Sequence, residues 1–361
     1  MAGDPLRTVL TERLGCEYPI IQTAMGWVAE PILVAASCEA GAFGFLGAAV
    51  MTPAEAADKI AKVRALTTKP FGVNFHMFQP GASEIVDTII ANRDQVRAVS
   101  FGRGPDAKMI GRFKTAGILC VPTVGALKHA RKMVELGVDM VTVQGGEGGG
   151  HTGSTPTTVL LPQVLDAVDV PVIACGGFSN GRGLAAALAF GAVGMAMGTR
   201  FLLTAESPVP DATKARYLTA GTDDIVLTTK LDGLPQRMVR TPLLDRIERA
   251  GPLAMWLRAA QAGMAMKQRT GATWGQMLSA ASELSKQQGL APALMAAAAP
   301  HLIQRAVVEG RPDEGVMASG VVGGAITEIP TCRDLVERIA REARQRLQSL
   351  SATSDQARPA A

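Results

Sequence analysis

Aromatic side chains are scarce here: Phe, Trp and Tyr together make up 4% of the sequence. With hydrophobic residues at 47%, the core has to be built mostly from Ala, Val, Leu, Ile and Met. Cysteine is sparse too. Cys16, Cys38, Cys120, Cys175 and Cys332 are scattered and form no CxxC pair. That pattern carries no zinc or iron–sulfur signature and no metal site is expected; it suits a reducing, cytoplasmic setting. No long Lys/Arg run exists and the net charge is +4. This argues against nucleic acid as the main partner and permits small anionic ligands. No uncharged apolar run approaches the length of a membrane span. The opening MAGDPLRTVLTERLG has no apolar h-region of the kind a signal peptide carries.

Glycine, in contrast, is abundant, with 39 residues. Short runs of β-formers alternate with Ala/Leu/Lys-rich helical stretches. The expected strands are Pro19–Gly26, Phe43–Gly47, Phe71–Phe75, Ala98–Gly102, Ile118–Thr123, Met140–Val143, Pro171–Gly177 and Gly194–Phe201. Eight strands alternating with helices point to an α/β fold, a (β/α)8 TIM barrel. A doubly wound sheet is the main rival, but the first strand–helix turn carries no GxGxxG. The barrel is expected over residues 1–203 and a mostly helical lid subdomain, inserted over 204–314. A return to the barrel with a closing helix follows over 315–348, then a disordered tail over 349–361.

Barrels of this kind place their sites at the carboxyl ends of the strands, with a frequent phosphate site after strands seven and eight. Gly176–Gly177 and Gly198–Thr199 fall at those two places. Ala24, Met25 and Gly26 end the first strand and would let a planar ring lie against backbone. Asn74, Thr123 and Gln144 end three further strands. This ring of small and amide residues suits flavin mononucleotide (FMN) better than a sugar phosphate. His76 follows strand three and reads as a solvated loop histidine. Strand six opens into QGGEGGGHTG, in which Glu147 and His151 stand among glycines, of which Gly149 and Gly150 are expected to contact the cofactor. A carboxylate and an imidazole on such a loop are equipped for acid–base work.

The segments AMG (24–26), GVNF (72–75), QGGEGGGHTG (144–153), CGGFSNGRG (175–183), MGTRFLLTAES (197–207) and GVMASGVVGG (315–324) together resemble the nitronate monooxygenase, or 2-nitropropane dioxygenase-like, family. That family consists of FMN barrel enzymes and includes FMN-dependent enoyl reductases. The resemblance implies FMN phosphate on Gly176, Gly177, Gly198 and Thr199. It implies the ring near Ala24, Met25, Gly26, Asn74 and Gln144, and His151 where the family keeps its catalytic base. Glu147 either orients His151 or acts in its place. The loop reads EGGGH where the family commonly reads EAGGH. Thr123 and Gln144 stand where some nitronate oxidisers carry Lys or Asp.

The pattern is most similar to actinobacterial members that act on coenzyme A thioesters in the breakdown of steroid rings C and D. The implied reaction is α,β-dehydrogenation of an alicyclic thioester, or its reverse. The alternatives are nitronate oxidation with O2, and enoyl-thioester reduction with NAD(P)H. The expected partners are a coenzyme A thioester, NAD(P)H or another electron carrier, and a second copy in a homodimer.

Overall fold

The computed structural model of the protein describes residues 4–102, 104–251 and 290–356. The chain divides into two compact units. The first comprises Met1–Glu147, Gly153–Pro208 and Ile326–Ala361; the second comprises Gly148–Thr152 and Val209–Ala325.

In the first unit lie β1 (Ile20–Gln22), β2 (Phe43–Gly47), β3 (Phe71–Asn74), β4 (Val96–Ser100), β5 (Leu119–Cys120), β6 (Thr123–Val124) and β7 (Val141–Gln144). After β8 (Gly150–His151), which belongs to the second unit, come β9 (Val172–Cys175) and β10 (Met195–Met197). The first unit's strands form one parallel sheet in the order β5-β4-β3-β2-β1-β10-β9-β7-β6. The two ends of that order are halves of a single stretch. Val121 N–H donates to the Val99 carbonyl (2.8 Å) and Thr123 N–H to that of Phe101 (2.9 Å), on the β4 side. Thr142 N–H donates to the Pro122 carbonyl (2.8 Å), on the β7 side. The sheet therefore returns on itself through residues 119–124. Pro122, which has no N–H, accounts for the break within that stretch.

Each expected strand overlaps an observed one, because burial on both faces favours the β-branched and apolar runs that marked them. The helices obey local rules as well. Thr52 caps Pro53–Leu66: Glu55 N–H donates to the Thr52 hydroxyl (3.3 Å), and Thr52 N–H donates to the Glu55 carboxylate (2.8 Å). Among the described residues most of the few aromatics lie inside. Phe43 and Phe45 meet edge to face at 5.1 Å within a cluster that includes Ile21, Ala98, Val121, Met140 and Ile173. Gly72 makes room for them, since a Cβ there would sit 2.3 Å from the Phe45 ring. The closing helix runs Cys332–Gln356, past the expected start of the tail at 349, and packs on Gly181–Ala189. A Cβ on Gly181 would lie 2.3 Å from that of Glu342.

No element is expected before Pro19, yet helix Val9–Leu14 is part of the core. Leu10 and Leu14 are fully buried in the same cluster as Phe43 and Phe45.

In the second unit, strands accompany the helices of the segment expected to be mostly helical. Among the described residues it holds an antiparallel sheet of β11 (Ile225–Thr228), β12 (Gln236–Val239), β13 (Met317–Ala318) and β8, with β12 paired to each of the others. Helices Asp211–Leu218, Pro242–Glu248 and Leu290–Val307 accompany it. Its core joins Leu231, Met238, Leu244, Ile247 and Val316. These strands are two to four residues long, too short to raise a period-2 pattern above a polar background. The Met-rich stretch between Leu253 and Met295, with Trp256 and Trp274, falls mostly on 252–289, outside the described residues, and so does most of the expected lid. Among the described residues no helix is long and apolar enough to cross a membrane.

Leu10→Ala is expected to cost about 2–5 kcal/mol, the range for deleting a fully buried leucine. Denaturant unfolding of the variant checks it; an unchanged midpoint would place this helix outside the cooperative core.

Candidate functional site

Because every strand of the first unit's sheet is parallel, all its strands leave at one edge. That edge collects the residues after β1, β3, β6, β7, β9 and β10. Thr23 N–H donates to the Met197 carbonyl (3.1 Å), so the Ala24–Gly26 turn starts beside the end of β10. Asn74 Nδ2 donates to the Ser100 carbonyl (3.0 Å), and Gly145 N–H donates to the Cys175 carbonyl (3.0 Å). Ala24, Met25, Gly26, Asn74, Thr123, Gln144, Gly176, Gly177, Gly198 and Thr199 thus share one edge of one unit. Strain marks this edge also. Trp27, directly after Gly26, has φ +60° and is the one non-glycine with positive φ among the described residues.

The strongest local signal lies after β9 and β10. Gly176 and Gly177 have φ of +95° and +84°, conformations that L side chains rarely adopt. A Cβ on Gly198 would come 3.1 Å from the Thr23 hydroxyl. Gly176 is buried, and its N–H donates to the weakly accepting Cys175 sulfur. An acceptor-rich ligand group fits this cradle; a phosphate supplies several oxygens for donors on both turns. Arg200, in the short helix Thr199–Leu202 that follows the second turn, donates through Nη2 to the carbonyls of Leu203 (2.6 Å) and Glu328 (2.9 Å). Burial pushes its guanidinium down to about 10, so it keeps its charge at neutral pH.

Glu147 has a defined job in the same unit. Thr157 N–H donates to both its oxygens, at 3.1 and 2.9 Å, and the Thr157 hydroxyl lies 2.7 Å from Oε2. Thr157 opens helix Thr157–Leu165, so the carboxylate caps that helix's amino end. The same hydroxyl lies 3.0 Å from the Gly176 carbonyl oxygen. A Cβ on Gly145 would be 2.0 Å from it, so only glycine allows this approach.

His151, Gly149 and Gly150 belong to the second unit. Gly149 serves packing there: a Cβ would stand 2.6 Å from Gly320 N. Gly150 and His151 form β8, with His151 in register with Gln236. The carboxylate beside His151 Nε2 is that of Asp232, 2.6 Å away. Asp232 was missed in the sequence. The signal was there: an Asp-Gly pair between two runs of β-formers is a hairpin cue. His76 is corrected from solvated to half-buried, its ring stacked 5.1 Å from that of Phe78. Burial raises all five thiols to about 12, which excludes them as nucleophiles near neutral pH.

Known proteins share this architecture. The nitronate monooxygenase family model matches residues 7–342. A Mycobacterium tuberculosis protein named (3aS,4S,5R,7aS)-5-hydroxy-7a-methyl-1-oxo-octahydro-1H-indene-4-carboxyl-CoA dehydrogenase is 48% identical over 355 residues, covering 96% of this chain and 99% of that one. A Rhodococcus jostii protein of the same name is 46% identical over 349 residues, covering 96% and 98%. Among solved structures, FabK from Thermotoga maritima matches with a TM-score of 0.77 at 32% identity, covering 96% of this chain and 99% of that one. The chain belongs to the nitronate monooxygenase family and is an oxidoreductase.

Proposed function

We propose that this enzyme is an FMN-dependent dehydrogenase that introduces an α,β double bond into an alicyclic coenzyme A thioester of steroid ring C/D breakdown. The observation that carries the reading is the 46–48% identity, over 96% of the chain, to two dehydrogenases whose names specify such a thioester. The cradle at Gly176, Gly177, Gly198 and Thr199 holds the FMN phosphate in this reading. The edge formed by Ala24, Met25, Gly26, Asn74, Thr123 and Gln144 takes the ring.

Bound FMN supplies the hydride acceptor. The residues supply the rest. A thioester carbonyl acidifies the α-carbon, and His151 accepts the α-proton as general base while the β-hydrogen leaves with its electron pair. Glu147, with both oxygens engaged by Thr157, holds the loop that leads to His151 along the chain. The enoyl thioester leaves, and NAD(P)+ or another electron carrier takes up the two electrons. The reverse reaction, with NAD(P)H, uses the same groups. The anionic carrier has a matching feature in the first unit. Lys128, Arg131 and Lys132 are exposed on helix Leu127–Glu135, share one face, and pair with no carboxylate among the described residues. That helix starts just after β6, and side chains lean toward a helix's amino end. The second reading, nitronate oxidation with O2, is favoured by the description of the family itself.

Gly177→Val is expected to purify with little FMN: the left-handed turn is strained and the new side chain presses on Glu147, which shares the anchor of the cradle. Cofactor content per folded protein checks this; full occupancy would move the phosphate site elsewhere. Anaerobic mixing of the FMN-loaded enzyme with an alicyclic coenzyme A thioester is expected to bleach the flavin faster than propyl-2-nitronate does. His151→Ala should slow that bleaching ~10²–10⁴-fold with FMN retained, the range for a general base. Rapid reduction by the nitronate with no response to ring-bearing thioesters would return the enzyme to nitronate oxidation.

A further inference from the structure

We infer that Asp232 is the positioning residue for His151: it holds the imidazole proton on Nε2 and thereby assigns proton abstraction to Nδ1. The inference rests on His151 being the base, as proposed above.

The geometry lies within the second unit. His151 sits in β8, its backbone fixed by pairing with β12 and by the bond from Thr152 N–H to the Pro235 carbonyl (3.2 Å). The β11–β12 connection carries Asp232 to it. Gly233 adopts φ +81° and donates its N–H to the Thr229 carbonyl (2.9 Å), which closes the turn. Asp232 Oδ2 then faces His151 Nε2 at 2.6 Å, while Oδ1 accepts Leu234 N–H at 3.1 Å. The side chain of Asp232 is 12% exposed and that of His151 45%. One partner is therefore a shielded, pre-oriented anion and the other reaches solvent.

Burial alone would raise the carboxyl of Asp232. The hydrogen bonds from His151 and Gln236, the charge of His151 and the Leu234 N–H outweigh it and hold the group below the usual carboxylate range. It is ionised throughout the working range of an enzyme near neutral pH. An ionised carboxylate only accepts, so the neutral imidazole facing it must carry its proton on Nε2. The lone pair then lies on Nδ1. When Nδ1 takes a substrate proton, the imidazolium forms beside a fixed negative charge, which stabilises it. Glu147 is engaged with Thr157 in the other unit and is not needed for this role.

Asp232→Asn gives a sharp test because Leu234 N–H selects the amide orientation. The amide oxygen keeps the Oδ1 position, and the NH2 group is left at Oδ2, where it donates to Nε2. The proton is then driven onto Nδ1, the atom that has to be vacant. Nitrogen-15 NMR of histidine-labelled protein, at a pH where imidazole is neutral, reads the tautomer without substrate. The chain has four histidines and His151→Ala assigns the signal. The expected result is Nε2–H in the native enzyme and Nδ1–H in Asp232→Asn. Anaerobic flavin reduction should slow on the order of 10²-fold in that variant, approaching the loss of the base itself, with little change in KM. Asp232→Glu should recover part of the rate.

A native Nδ1–H tautomer, or one unchanged in Asp232→Asn, would overturn the inference. A tautomer that switches while both Asp232→Asn and His151→Ala keep the native rate would overturn His151 as base, and the catalytic role of Asp232 with it.

Discussion

A parallel sheet sends every strand out through the same edge, and the chemistry of the first unit depends on that constraint. Six strand ends contribute short, mostly uncharged residues there, and none needs a long loop to arrive. Parallel pairing fixes their relative heights, as the contacts from Thr23 to Met197 and from Gly145 to Cys175 show. Rigid strands set the positions, and the turns after them are free to carry glycine. Where backbone N–H groups have to do the binding, that division of labour is efficient. Donors on the main chain cannot rotate away from their target.

Glycine is used here for two separate reasons. At Gly176 and Gly177 the requirement is conformational, a left-handed backbone that L side chains rarely adopt. At Gly145, Gly149 and Gly181 the requirement is space, since a Cβ would meet neighbouring atoms at 2.0 to 2.6 Å. The Glu147–Thr157 contact links the two uses. The carboxylate caps a helix whose first residue also reaches the Gly176 carbonyl, so the loop after β7 and the cradle after β9 share one anchor. Neither use leaves tolerance for larger side chains at these positions.

Much of this was legible in the sequence. Strands buried on both faces announce themselves as apolar runs, and Gly176–Gly177 and Gly198–Thr199 stand out at the ends of the seventh and eighth. The capping signal Thr52-Pro53-x-Glu55 located a helix start directly. What stayed hidden depended on tertiary pairing. Helix Val9–Leu14 is six residues long and too short for its periodicity to declare it. The strands of the second unit are shorter still, and β8 consists of two residues taken from a glycine run. Asp232 is the instructive miss. Its partner is 81 positions away, and only the hairpin register brings the two together. A search for carboxylates near His151 along the chain finds Glu147 first, and that residue is committed to Thr157.

The central claim is that the glycine turns after β9 and β10 bind one phosphate of a mononucleotide. Phosphorus NMR of the purified holoprotein tests it most directly. A single phosphomonoester resonance, shifted from free FMN and restored to the free position on denaturation, is the predicted result. Pyrophosphate resonances, or a phosphomonoester signal at the free FMN position in the native protein, would contradict it.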